Sequence, residues 1–89
     1  MPPTIRDRLR RDLAKVYVHA ERSLQSIMLL DEAFKTDHQE YSAGLEVMAD
    51  ALLTLQEMVR MFWISAWGKC PDDIMDWWDH HGTTNTDTQ

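Results

Sequence analysis

The sequence predicts an all-α fold: an antiparallel hairpin of two long helices with a short third helix after it, two copies pairing into a four-helix-bundle-like core. Three observations predict it. Tyr41, Leu45, Met48, Leu52, Leu55, Val59, Phe62 and Ala66 fall at alternating spacings of four and three, which is one unbroken apolar seam on a helix. Leu9, Leu13, Val16, Ala20, Ser23 or Leu24, Ile27, Leu30 and Phe34 repeat that spacing. Only three glycines and three prolines interrupt 89 residues rich in Ala, Leu, Met, Glu and Arg, a composition that favours helices over strands.

Pro2 and Pro3 keep a helix from starting at the first residue, and Thr4 can cap one with Asp7 three residues on, where an acid suits the positive helix end. The first helix then runs about 30 residues, roughly 45 Å. Lys35-Thr36-Asp37-His38 breaks the pattern. Thr36 with Gln39 and Asp37 with Glu40 both read as capping boxes for a second helix over roughly Asp37 to Trp67. A connection this short returns the second helix antiparallel to the first. Gly44 is its one weak point, read as an early irregularity or a close helix contact. Gly68 suits the left-handed residue after a helix end. Cys70-Pro71-Asp72-Asp73 then opens a third helix of about 11 residues, Pro71 to His81, with Gly82 beyond it. Residues 1–82 form one helical domain, and the small polar run 83–89 is expected to be a disordered tail.

The second helix is apolar on more than one face, because Val47, Ala51, Thr54, Met58 and Met61, with Leu53 and Ile64, add to the seam. A third helix roughly 16 Å long can fold Ile74, Trp77 and Trp78 over the C-terminal end of the second but not over its whole length. Val47, Ala51, Leu53, Thr54 and Met58 are therefore the expected homodimer interface, since soluble monomers rarely leave such a strip in water.

The net charge of -6 hides an asymmetry: Met1 to Arg22 carries six basic and three acidic residues, and Asp31 onward three basic and twelve acidic ones. A single cysteine excludes an intrachain disulfide and a multi-thiolate zinc site, which suits a reducing compartment. No signal peptide is legible, and the most apolar run, Met58 to Trp67, is about half the length of a bilayer span. A cytoplasmic protein with no membrane association is expected.

Four tryptophans, Trp63, Trp67, Trp77 and Trp78, lie close together in sequence, and tryptophan both fills helix junctions and anchors interfaces. Adjacent Trp77 and Trp78 point about 100° apart on a helix, so unequal burial is expected. Core packing against the second helix accounts for most of the cluster, with one ring left for a partner. Arg6, Arg8, Arg10, Arg11 and Lys15 could contact phosphates. The competing and favoured reading is that the antiparallel return brings them beside Asp72, Asp73, Asp76 and Asp79, where opposite charges neutralise. Asp73, Asp76 and His80 share one helix side and could in principle hold a divalent ion, against a plain helix end in which His80 and His81 complement the dipole. Cys70 has no imidazole within its own helix reach, His80 being roughly 15 Å along it. Nucleophile-base, phosphate-loop and dinucleotide patterns are absent.

The expected function is a non-enzymatic protein–protein interaction module without cofactor or metal. Its partner-binding surface is read as Trp77 and Trp78 with Asp72, Asp73, Asp76, Asp79, Glu46, Asp50 and Glu57. Such an acidic surface could occupy the basic groove of a nucleic-acid-binding protein and inhibit or regulate it. Small acidic helical proteins of phages and mobile elements act in that way, an analogy of size and charge alone. The alternatives are a dimeric nucleic-acid-binding regulator using the basic start, with direct nucleic-acid binding disfavoured by the net charge, and a metal-dependent enzyme at the third helix.

Overall fold

A computed structural model describes residues 5–81, so Thr4, Gly82 and the expected tail lie outside the described residues. These residues form three α-helices, α1 (Ile5–Asp37), α2 (Ser42–Trp67) and α3 (Ile74–His81), with a 3-10 turn at Gln39–Tyr41 before α2. None of the helices is long and apolar enough to cross a membrane.

α1 carries Asp7 in its first turn and Lys35 in its last, each at the helix end whose dipole it complements. The helix continues through Thr36 and Asp37 and closes where the His38 amide donates to the Phe34 carbonyl at 2.8 Å. Neither expected capping box forms. Thr36 and Asp37 are helical members of α1, whereas a cap residue must leave the helical conformation, and no side chain caps the start of the 3-10 turn or of α2. The rings of Phe34, His38 and Tyr41 hold the turn instead, with Phe34 and Tyr41 centroids 5.3 Å apart. α2 ends as expected: Gly68 has φ 91° and donates its amide to Ile64 at 2.8 Å.

α3 starts three residues later than Pro71. Asp73 sets its start, the carboxylate accepting from the amides of Met75 at 3.0 Å and Asp76 at 3.3 Å, which satisfies donors that have no partner inside the helix.

Contacts between α1 and α2 run in opposite order along the two helices. Ser42 donates to Asp31 at 3.0 Å, and Gln56 donates to the Tyr17 carbonyl at 3.3 Å and to Glu21 at 3.1 Å. The face of α2 turned to α1 is Leu45, Ala49, Leu52, Gln56, Val59 and Trp63, all buried or half-buried. The expected seam is therefore rotated. Leu45, Leu52 and Val59 belong to the observed face, while Tyr41, Met48, Leu55, Phe62 and Ala66 are exposed. A helix that is apolar over most of its circumference fits several seams equally well, and period alone could not choose among them.

The core occupies one end of the molecule: Ala14 and Val18 of α1, Val59 and Trp63 of α2, Ile74 and Trp78 of α3. The backbone of α3 comes close to α1 and not to α2, while Ile74, Trp77 and Trp78 pack over the C-terminal part of α2 as expected, in one cluster with Val59 and Trp63. Ala14 and Val18 are one turn apart and small, so they let α3 approach closely. α3 reaches α2 through Trp77, whose ring meets Trp63 edge-on at 5.0 Å.

Val16 lies two residues from both Ala14 and Val18 and so points about 200° away from α3 round α1. α3 consequently covers one broad side of the α1–α2 layer and leaves the other open. On that open side stand Leu9, Val16 and Leu30 of α1, and Met48, Leu55, Met58 and Phe62 of α2, all exposed. The molecule measures 54 × 30 × 17 Å with a radius of gyration of 16.0 Å, against about 12 Å for a compact chain of this size.

Candidate functional site

The segment between α2 and α3 is held by Arg60. Its guanidinium donates to the carbonyls of Pro71 at 3.2 Å and Asp72 at 3.3 Å, to the Tyr17 hydroxyl at 3.2 Å and to the Cys70 sulfur at 3.8 Å. Five donors in a rigid planar fork make such a multiple clamp possible. The sequence marks Arg60 only as a charge inside an apolar run, and nothing in its spacing announces this role.

With that segment fixed and Asp73 capping α3, one open cleft of about 430 Å³ forms, lined by Pro71, Asp72, Asp73, Asp76, Trp77, His80 and His81. Trp77 is half-buried, its ring stacked on His81 with centroids 4.6 Å apart. His80 and His81 each place Nδ1 2.9 Å from the carbonyl one turn back, those of Asp76 and Trp77, as suits the negative end of a helix. The Asp76 carbonyl, and after it the Asp76 carboxylate, hold the His80 imidazole above its ordinary titration range.

The cleft gathers four of the expected partner-binding residues, Trp77, Asp72, Asp73 and Asp76, and separates the others. Trp78 is 9% exposed and packs in the core with Ile74, so its ring is out of a partner's reach, the unequal burial expected of adjacent tryptophans. Asp79 is exposed but does not line the cleft. Glu46, Asp50 and Glu57 are exposed on α2. Glu46 borders a depression beside Ile27 and Asp31 near the turn, roughly 30 Å of helix away from Trp67. The acidic surface is thus two surfaces, because α2 runs its outer face away from the end that α3 covers.

Val47, Ala51, Thr54 and Met58 of the expected dimer interface are exposed, Ala51 and Met58 toward the open side of the layer and Val47 and Thr54 on the edge of α2 that points away from α1. Leu53, although 53% exposed, is nine residues from both Gly44 and Phe62 and so lies about 180° round α2 from them. It shares the side of Glu46, Glu57 and Ile64, and does not belong with the other four.

The basic residues do not form one surface. Arg6 and Arg10 lie about 200° round the helix from Arg8. Arg10 is half-buried with its guanidinium over the Trp67 ring, 5.5 Å from the centroid, and its Nε is enclosed without a hydrogen-bond partner. The Arg10 guanidinium thus lies against an aromatic ring. Arg6, Arg8 and Lys15 are exposed and Arg11 is half-buried.

Asp73, Asp76 and His80 do not converge on a common point, and among the described residues no group of three His, Cys, Asp or Glu side chains could hold a metal ion. Asp73 directs its carboxylate at the amides of its own helix. Burial pushes the Cys70 thiol up from its ordinary range, partly offset by Arg60, which leaves it a poor nucleophile at neutral pH. No family model, curated protein or solved structure matches this chain at a significant level.

Proposed function

We propose that the protein is a non-enzymatic helical interaction module, a homodimer of two-helix hairpins sharing a four-helix core, whose end clefts receive a basic segment of a nucleic-acid-binding partner. The observation that carries this reading is the union of Asp72, Asp73 and Asp76 with a half-buried Trp77 in one cleft. A lysine or arginine side chain entering there meets carboxylates for its charge and an aromatic surface for its stem, and cation–π contact adds roughly 0.5–1 kcal/mol at such an exposed position. The acidic excess of the chain would speed encounter with a basic partner.

Pairing of two copies is supported by the uncovered side of the layer. Its exposed side chains form a strip well beyond the few hundred Å² that soluble monomers usually leave in one patch. α3 on the far side leaves that face unobstructed and places one acidic cleft at each end of the pair.

The test titrates a fluorescent arginine- and lysine-rich peptide into the full chain. Expected are binding that weakens as salt rises and an affinity at least about tenfold lower for Trp77→Ala and for Asp72→Asn with Asp76→Asn, a loss within the range of interface anchors. Equal affinity for wild type and both variants would sink the cleft reading. A sedimentation mass of one chain at micromolar concentration would sink the homodimer.

A further inference from the structure

Resting on the homodimer proposed above, we infer its register: α2 pairs antiparallel with α2 of the second copy about a two-fold axis at the level of Leu53. Phe62 of each copy then fills the depression of the other that is lined by Phe34, Tyr41, Gly44, Leu45 and Met48.

That depression is about 290 Å³, open, and walled by apolar side chains from both long helices. Gly44 is one of its lining residues. A Cβ built on it meets nothing within 4 Å, and among the described residues Gly68 is the only glycine with positive φ. Gly44 stands in the first turn of α2, and the absence of a side chain there leaves room for a group from outside to approach the backbone closely. At the far end of the same exposed row stands Phe62, a large ring 59% exposed.

The row reads Gly44, Met48, Ala51, Leu55, Met58, Phe62. Turned end for end about Leu53, it sets Gly44 against Phe62, Ala51 against Leu55 and Met48 against Met58, so that each small residue faces a large one. A row spaced by three and four is symmetric about several points. This one alone sets Gly44 against a large aromatic ring while overlaying the two helices along nearly their full length. On α1 the companion residues Leu9 and Phe34, and Val16 and Ile27, exchange about a point between Glu21 and Arg22. The contacts of Gln56 with Tyr17 and Glu21 place that point beside Leu53. A single axis therefore serves both helices. The face so buried is on the order of the ~800 Å² per partner that stable interfaces use.

The second copy is the occupant because the face is self-complementary in this way, a property a two-fold interface requires. The test uses the full chain in a Cys70→Ser background. Gly44→Cys combined with Phe62→Cys is expected to give a disulfide-linked dimer under mild oxidation, while each single substitution stays a monomer on a non-reducing gel. Gly44→Leu, whose Cβ meets nothing within 4 Å in its own chain and whose branch occupies the depression meant for Phe62, is expected to keep helicity and weaken dimerisation tenfold or more. A wild-type dimer by sedimentation that fails to cross-link through 44 and 62, or that cross-links through Phe62→Cys alone, overturns the register and leaves the dimer standing. A wild-type monomer overturns both.

Discussion

The Arg60 guanidinium reaches across from α2 to Tyr17 of α1, donating to the hydroxyl at 3.2 Å and lying 5.3 Å from the ring centroid. The same group holds the carbonyls of Pro71 and Asp72, so one side chain ties both long helices to the segment that aims α3. Position and chemistry are linked here: the acidic cleft has its shape because Arg60 fixes the approach to Asp73.

Arg60→Ala is expected to cost about 1.5–3 kcal/mol, the range for hydrogen bonds to a charged group. Arg60→Lys should recover only part of it, because an ammonium lacks the planar fork. Urea unfolding followed by tryptophan fluorescence measures both. If the two variants proved as stable as wild type, the clamp would have no place in this account.

The adjacent tryptophans should separate sharply. Trp78→Ala empties a core site and is expected to cost about 3–5 kcal/mol, enough to unfold much of a small domain. Trp77→Ala, at a half-buried site, should cost clearly less and leave helicity near wild type by circular dichroism. Similar losses for the two would contradict their different burial.

Asp73→Ala should loosen the start of α3 by about 1 kcal/mol through loss of the cap, with Asp73→Asn close to wild type. Amide exchange at Met75 and Asp76, whose amides the carboxylate receives, reads this directly. Faster exchange confined to those positions and the rest of α3 is the expected pattern.

His80 should titrate above the ordinary histidine range, and Asp76→Asn should lower it, as the Asp76 carbonyl and carboxylate both favour the charged ring. A raised folded value means that the folded chain holds the proton more tightly. The contribution is complete below the unfolded value near 6.5 and disappears as pH rises through the folded one. An NMR titration of the His80 ring follows it. For Cys70 the raised thiol value works in the alkaline range, stabilising below about pH 8.5 and fading above.

The sequence alone determined three helices and the glycine at the end of α2, because periodicity and backbone permissiveness are local properties carried by neighbouring residues. It also determined that Trp77 and Trp78 would be buried unequally, a consequence of helical geometry, and that Val47, Ala51, Leu53, Thr54 and Met58 would stay uncovered. Only the tertiary structure decided which apolar row faced inward. α2 carries too many apolar residues for its pattern to distinguish Val59 and Trp63, which α1 and α3 bury, from Leu55 and Phe62, which stay exposed. It likewise decided that Asp73 would cap α3, that Ala14 and Val18 would seat that helix on α1, and that Arg60 would join pieces far apart in sequence. The candidate cleft depends on those choices, since its acids are local to α3 but its shape is set by contacts between residues tens of positions apart.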